Sequence, residues 1–331
     1  MSASCFQEGP RRRRQQLALP PLPSSRRFRR ERLLPLLLLP VFAACAPRDA
    51  TRDAPRDATR AAAAGVVDDY GVPIVSAAPA LRIVSLNPTT TELLFALGDG
   101  PRVVGRSRWD QWPVEARAVP DVGDAIRPSV ERIVAARPDL VILYASGDNR
   151  AAASALAKAG LRVVALRVDR IADFERCLRI IGALTGRDSS AAAAADSIRR
   201  SLDHVRAALH DVERPRVFLH VWDNPLMAIG GGSYLSELVA IAGGDNVYGD
   251  VDAPSPQVSF EDLLRRDPDV ILAGPTEVTR LAADPRWRAL RAVREGRLLA
   301  YDTMLVSRPS LRLGEGARSL ARLLHPGSVV P

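Results

Sequence analysis

The sequence predicts an α/β protein of two lobes joined by a single long helix, and three observations carry that expectation. A helix–Pro-Asp–strand unit occurs twice, once over Val130–Leu143 around Glu131 and Pro138-Asp139, and once over Phe260–Ala273 around Glu261 and Pro268-Asp269. In each copy a short apolar run rich in β-branched residues follows the Pro-Asp pair, which suits a strand buried on both faces. Between the copies, Ile198, Leu202, Val205, Leu209 and Val212 recur at spacings of 4, 3, 4 and 3, the narrow apolar stripe of a long helix. Elsewhere strand patterns alternate with helical ones, which implies a parallel or mostly parallel sheet in each lobe.

Two segments precede the lobes. Arg11 to Arg14, then Arg26, Arg27, Arg29, Arg30 and Arg32, form a basic region, followed by an apolar run over 33–41 and by Phe42-Ala43-Ala44-Cys45. This is the three-part pattern of a secretory signal. Its apolar run, roughly ten residues, is half of the roughly twenty needed to span a bilayer. A Cys after two small residues resembles the lipobox of bacterial lipoproteins, which implies acylation of Cys45 as the first residue of the mature chain. The alternative is an ordinary signal peptide cut near Ala44. Residues 1–44 hold nine Arg against two Glu while the whole chain is +8, so the mature chain is near +1. The high pI describes the signal, and the case for a nucleic-acid partner falls with it.

Of three cysteines, Cys5 leaves with the signal and Cys45 would carry the lipid. Cys177 is left alone, so no intramolecular disulfide is expected, and its place among Phe174, Leu178 and Ile181 reads as a small core residue. Residues 45–80, rich in Ala, Arg, Asp, Pro and Thr, are expected to form a disordered tether.

The lobes then follow in order. A strand over Leu81–Leu86 leads to Asn87-Pro88-Thr89-Thr90-Thr91-Glu92, whose capping residues and acid start a helix that Gly98 ends. A strand at Val103–Gly105 opens a loop carrying Trp109 and Trp112. After the first copy of the repeated unit come a helix near Asn149–Ala159, a strand at Arg162–Leu166 and a helix near Ile171–Leu184. The long helix, about 189–212, would extend roughly 36 Å at 1.5 Å per residue. The second half has a strand at Arg216–Val221, a glycine turn at Gly230–Gly232, a helix over Leu235–Ile241, the second copy, a strand at Arg297–Tyr301 and a final helix near Leu311–Leu324. Lobes at 81–187 and 214–325 thus flank a linking helix at 188–213, with the cleft between them as the default ligand site.

Motifs for catalysis are absent: there is no G-x-S-x-G, no H-E-x-x-H and no P-loop. Neither enzymatic activity nor a resident metal or cofactor is expected. Gly230–Ser233 ahead of a helix reads either as a phosphate cradle or as a bare turn. His204 and His210 cannot share a metal from one helix face, and His220 either reaches the cleft or packs in the core. Aromatic residues are few. Trp109, Tyr144, Trp222 and Tyr301 fall in loops or at strand ends, where ligands gather in parallel sheets. Such a lining suits a large, flat, partly apolar ligand; the alternative is packing.

Several stretches together resemble the periplasmic binding proteins for cobalamin, ferric siderophores and haem: Arg82-Ile83-Val84-Ser85-Leu86-Asn87-Pro88, Val130-Glu131-Arg132-Ile133 with Pro138-Asp139, Gly243-Gly244-Asp245-Asn246-Val247, and Pro256-Gln257-Val258-Ser259 with Glu261. The resemblance covers about residues 81–325 and implies two Rossmann-like lobes bridged by one helix, the class III architecture. It implies a monomeric substrate-binding component of an ABC importer, in the periplasm or at the cell surface and membrane-anchored through Cys45. By the same resemblance Glu131 and Glu261 dock onto the two subunits of the permease. Trp109, Tyr144 and Asp302 correspond to cleft residues, with Trp222 and Tyr301 as further ligand-binding candidates. Ala125 and Ser255 stand where the cobalamin binder has tryptophans. The ligand expected is a corrinoid such as cobalamin. Alternatives are a ferric siderophore or haem, met by Arg106, Arg108, Arg127 or Arg308, an exported phosphate-ligand enzyme built on the glycine turn, and a receptor-like domain without transport. The bridging helix is expected to hold closure to a small hinge.

Overall fold

The first lobe is assembled around a strand with no exposed residue. The computed structural model describes residues 66–75 and 78–328. β1 (Ile83–Ser85) is buried throughout, and Asn87 behind it caps α1 (Pro88–Ala96) by accepting the Thr89 N–H at 2.9 Å. β2 (Val103–Arg106), α2 (Val130–Ala135), β3 (Leu140–Tyr144), α3 (Asn149–Lys158), β4 (Val163–Leu166) and α4 (Ile171–Thr185) complete the lobe. Its sheet is wholly parallel, in the order β2-β1-β3-β4. Cys177 lies buried in α4 among apolar residues, and that burial pushes its thiol up to about 12.

α5 (Asp188–Ala208) is 21 residues long, about 32 Å at 1.5 Å per residue. Its stripe of Ile198, Leu202 and Val205 is buried, and the helix stops at Ala208 rather than at Val212. The second lobe runs β5 (Arg216–Asp223), β6 (Leu226–Ala228), α6 (Tyr234–Ile241), β7 (Asp245–Asn246), α7 (Phe260–Arg266), β8 (Val270–Ala273), α8 (Pro275–Ala283), α9 (Arg291–Arg294), β9 (Leu298–Ala300), α10 (Thr303–Val306) and α11 (Leu313–Leu324). Its sheet has the order β6-β5-β8-β9, with β7 paired to β5. β6 is antiparallel to β5, so this sheet is mostly rather than wholly parallel.

The repeated unit does the same work in both lobes. Ser129 and Ser259 cap α2 and α7 by accepting the N–H groups of Arg132 at 3.3 Å and Asp262 at 3.0 Å. Just past the helices, Arg137 (φ 49) and Asp267 (φ 36) are left-handed, which turns the chain sharply into the Pro-Asp pair. The Asp139 N–H then donates to the Arg82 carbonyl at 2.8 Å, while its carboxylate accepts the N–H groups of Leu81 and Arg82 at 2.8 and 3.1 Å. Asp269 repeats the clamp on Arg216, donating to its carbonyl and accepting its N–H, each at 2.8 Å. Each Pro-Asp turn therefore fastens the central strand of its lobe to that lobe's first strand.

The largest apolar cluster does not stop at the lobe boundary. It joins Ile83, Leu140 and Ile142 of the first sheet to Val217 and Val270 of the second, through Leu178 of α4, Leu202 of α5, Leu238 of α6 and Leu320 of α11. α11 and α5 approach as closely as glycine allows, since a Cβ on Gly314 would fall 1.8 Å from Ser201 Oγ. The glycine turn has a similar cause. A Cβ on Gly230 or Gly231 would lie 2.1 Å from the Ala253 carbonyl oxygen or 2.2 Å from that of Gly249. Close backbone packing, which only glycine permits, accounts for this turn.

The expected tether over 45–80 is corrected at its C-terminal end. Val66–Val75 is folded onto the first lobe, where the Asp69 N–H donates to the Ala165 carbonyl at 2.9 Å and the Ala165 N–H donates to Asp68 at 3.0 Å. A composition without apolar periodicity hid two aspartates that find the open edge of β4. Residues 78–80 are described too, with the Ala80 N–H donating to the Leu184 carbonyl at 2.8 Å, whereas the signal at 1–44, Cys45 and the tether residues 46–65 and 76–77 lie outside the described residues. Among the described residues no helix is long and apolar enough to cross a membrane.

Candidate ligand cleft

The cleft forms where the strand ends of the first lobe face the second. One cavity, of about 450 Å³, is lined by Asn87, Tyr144, Asn149, Asp169 and Arg308 among others. A second, of about 320 Å³, is lined by Ile229, Ser233, Ser255 and Tyr301. Tyr144, Val168, Asp169, Tyr234 and Ser307 line both, so the two make one groove with a wall from each lobe.

Tyr144 ends β3, half-buried, and its hydroxyl donates to Asp169 Oδ1 at 2.6 Å. Burial first, and then the Asp169 carboxylate, push its phenol well above the usual range, so it remains a neutral ring and donor. The Asp169 carbonyl accepts the Tyr234 N–H at 2.5 Å across the lobes. Tyr234 in turn donates its hydroxyl to the Val306 carbonyl at 2.9 Å. Tyr301 follows β9 and is buried, which raises its phenol as well. Asn149 is 1 % exposed; its Nδ2 donates to the carbonyls of Ala125 at 2.9 Å and Tyr144 at 3.0 Å. Among the described residues Arg308 is the single basic one lining the groove, and its Nε lies 3.4 Å from Glu92 of α1. Burial raises the Glu92 carboxyl and Arg308 opposes it, leaving the carboxyl above its ordinary value.

The groove thus brings Tyr144 and Tyr301 together, but the other candidates lie outside its lining. Trp109 is exposed and its indole donates to Asp124 at 3.3 Å. It rides on a loop anchored by buried Asp110, which accepts from the hydroxyls of Ser107 and Thr91, both at 2.6 Å. Trp222 is exposed with its indole donating to the Asn224 carbonyl at 3.0 Å, and it lines a separate cavity of about 370 Å³. Val221 touches both that cavity and the groove. Asp302 is exposed, and its carboxylate caps α10 by accepting the N–H groups of Met304 and Leu305 at 2.9 and 3.1 Å. Glu131 and Glu261 are both exposed at the second position of their helices. Asp169, Asn149 and Tyr234 escaped sequence reasoning; the signal for Asp169 was its place just beyond a strand end.

Of the basic candidates for an anionic ligand, Arg127 is exposed and outside the groove lining, and the others are engaged or paired. Arg106 is buried and donates to the Ser107 carbonyl at 2.8 Å, and Arg108 lies 3.7 Å from Asp124. In the 370 Å³ cavity, His220, Asp223 and Glu277 place ligand-type atoms within 4.8 Å of one another. His220 Nε2 is 2.8 Å from Asp223, while Arg280 pairs with both Asp223 and Glu277. A metal-bound imidazole normally donates through its other nitrogen, yet buried His220 Nδ1 has no partner among the described residues. The group is an ion-paired network whose cation is Arg280.

Two α/β lobes on one core, with a tyrosine-lined groove across their strand ends, define a protein that captures a solute. The chain belongs to the periplasmic binding protein family, whose profile matches residues 83–304. It is a binding protein of the periplasm and not an enzyme. The vitamin B12-binding protein of Salmonella typhimurium is 33% identical over 209 residues, 62% of this chain and 77% of that one. The periplasmic vitamin B12 binding protein of Vibrio cholerae shares the fold with a TM-score of 0.66 at 24% identity, covering 74% of this chain and 97% of that one. A periplasmic heme binding protein from Pseudomonas aeruginosa is 26% identical with a TM-score of 0.66, covering 76% of this chain and 94% of that one.

Proposed function

We propose that this chain is the substrate-binding component of an ABC importer and that it captures a corrinoid in the groove between its lobes. One observation carries the choice of ligand: the groove is lined by Tyr144, Tyr234 and Tyr301, and the one basic residue among its described lining, Arg308, is already paired with Glu92. Such a wall suits a broad ligand edged with neutral amides better than a chelate edged with carboxylates. The names of the Salmonella and Vibrio relatives support the same reading. Haem, or a ferric siderophore, is the second reading, favoured by the Pseudomonas neighbour. Against it, the Tyr144 hydroxyl is already engaged by Asp169 at 2.6 Å.

Trp109, Trp112 and Trp222 are exposed and Trp287 is buried, so quenching of the exposed set reports binding. Titration of the mature chain with cyanocobalamin is expected to give saturable quenching at micromolar levels, with haemin and a ferric hydroxamate giving none. Quenching by haemin alone would move the cargo to haem.

Delivery rests on Glu131 and Glu261, with anchoring through a lipid on Cys45 and the protein acting as a monomer. The two acids occupy the same position of the repeated unit, two residues after a capping serine, and both are exposed. At Glu131 the local backbone N–H and the Ser129 hydroxyl hold the carboxyl below its ordinary value, so its charge persists. Exposed charges of this kind steer an encounter more than they hold it. Reversing both to Arg is expected to leave cyanocobalamin affinity intact and abolish its uptake by cells; undiminished uptake would remove the docking role.

A further inference from the structure

The segment ahead of the first lobe reaches the ligand groove through one loop. Val66–Val75 lies ahead of the region matched to the family, which begins at residue 83. It closes on itself: Val67 bridges to Pro73, and the Asp68 carboxylate accepts the N–H groups of Tyr70 and Val72, both at 2.9 Å. Asp68 is only 5% exposed, and its other oxygen accepts the Ala165 N–H at 3.0 Å. Asp69 grips the same strand edge. Its carboxylate accepts from the Arg167 N–H at 2.6 Å and from the Arg176 guanidinium at 2.7 Å. The segment thus covers the open edge of β4, where unpaired backbone groups would otherwise be exposed.

From that anchor Tyr70 extends to the loop that follows β3. Its hydroxyl donates to the Ser146 carbonyl, and the Arg150 guanidinium lies 4.3 Å from its ring centroid. The Ser146 hydroxyl accepts the Asn149 N–H at 3.2 Å, and Asn149 holds the carbonyl of Tyr144 at 3.0 Å. Tyr144 and Asn149 both line the groove. A continuous chain of hydrogen bonds therefore runs from the strap through Tyr70, Ser146 and Asn149 to Tyr144. Burial raises the Tyr70 phenol, which keeps it a donor.

We propose that Val66–Val75 is a strap that fixes the Ser146–Asn149 loop, and that Tyr70 is a positioning residue for the ligand groove. It acts through the loop and lines neither cavity of the groove. A loop held in place before the ligand arrives lowers the ordering cost of binding. Only the affinity readout rests on the corrinoid reading; the loop readout does not.

The test is Tyr70→Phe in the full mature chain, which keeps the ring under Arg150 and removes the hydroxyl. Amide hydrogen exchange at Ser146 and Asn149, whose N–H groups donate to the Tyr144 carbonyl at 2.9 Å and the Ser146 hydroxyl at 3.2 Å, is expected to rise about two- to tenfold, the range for loss of one net hydrogen bond. Exchange in β3 is expected to stay unchanged, the thermal midpoint to fall by no more than a few degrees, and cyanocobalamin affinity to fall by a factor similar to that in the loop. Asp69→Asn, which loosens the anchor, is expected to raise exchange in both the strap and the loop. Wild-type exchange at Ser146 and Asn149 in Tyr70→Phe would overturn the strap, whatever ligand binds. Faster exchange with unchanged affinity would overturn the positioning role. Faster exchange in a chain whose wild type ignores cyanocobalamin would leave the strap standing and sink the corrinoid reading.

Discussion

Beneath the strand ends of the first lobe lies a chain of hydroxyls ending in a carboxylate, whereas the second lobe has a cluster of rings. Ser85 bonds to Thr90 and Thr91 at 2.8 Å, and Thr91 and Ser107 both donate to Asp110 at 2.6 Å. In the second lobe Phe218, His220 and Phe260 surround Trp287 at centroid distances of 6.1, 5.4 and 5.4 Å. Both fillings sit on the same Ser-capped helix and the same Pro-Asp clamp. The backbone unit therefore does not dictate what supports the lobe. A directional polar network can fix one loop, here the loop that carries Trp109, while ring packing gives stability without specifying a direction.

The comparison breaks most visibly at Trp287. Trp287→Ala is expected to cost about 3–5 kcal/mol in urea unfolding, the usual range for emptying a buried aromatic site. A loss below about 1 kcal/mol would mean that the second lobe does not lean on its rings.

The two clamps allow a finer test. Asp269 also meets the Arg291 guanidinium at 2.6 Å, whereas Asp139 serves backbone N–H groups. Asp269→Ala is expected to cost about 1–3 kcal/mol, the penalty for stranding charged and backbone partners, and Asp139→Ala less. Equal losses would show that the Arg291 pair adds nothing.

The smallest effect is the response to acid, and it has opposite signs in the two lobes. Burial opposes ionisation of Asp269, but the bonds from Arg291 and the Arg216 N–H outweigh it and hold its carboxyl low. Its stabilising contribution is present above the unfolded pKa, about 3.9, and is lost as pH falls through the lower folded value. Asp110 is the reverse: burial outweighs the bonds from Ser107 and Thr91, and its carboxyl is raised. The folded state then binds the proton more readily, so this site favours folding increasingly as pH falls from neutral towards about 4. The advantage of Asp110→Asn over the wild type in urea midpoint is accordingly expected to be larger at neutral pH than near pH 4. A difference that does not vary with pH would remove Asp110 as a titrating support.

Long periodic patterns made much of this molecule legible. The stripe from Ile198 to Val205 marks α5, and the repeated Glu and Pro-Asp spacing marks both central strands. β6 has only three residues, too few to show a period, so the hairpin after Trp222 was invisible. The strap was hidden because its order comes from Asp68 and Asp69 meeting a strand edge almost a hundred residues away, which composition cannot register. In the groove, Tyr144 and Tyr301 were visible as aromatic residues at strand ends. Asp169, the partner of Tyr144 and 25 residues from it, depends on two loops meeting in space. Asp302 carries the same chemistry in sequence as Asp169, but the helix start it caps occupies its carboxylate.

The apolar core that runs through α4, α5, α6 and α11 into both sheets has a consequence in time. A groove whose walls share one core is expected to change little in shape on binding, so that capture needs no slow search after encounter and proceeds as fast as oriented ligands arrive. Differences in affinity then appear in how long the cargo stays. A receptor built this way is poor at letting go by itself, and unloading becomes work that the importer must perform on the pair of lobes.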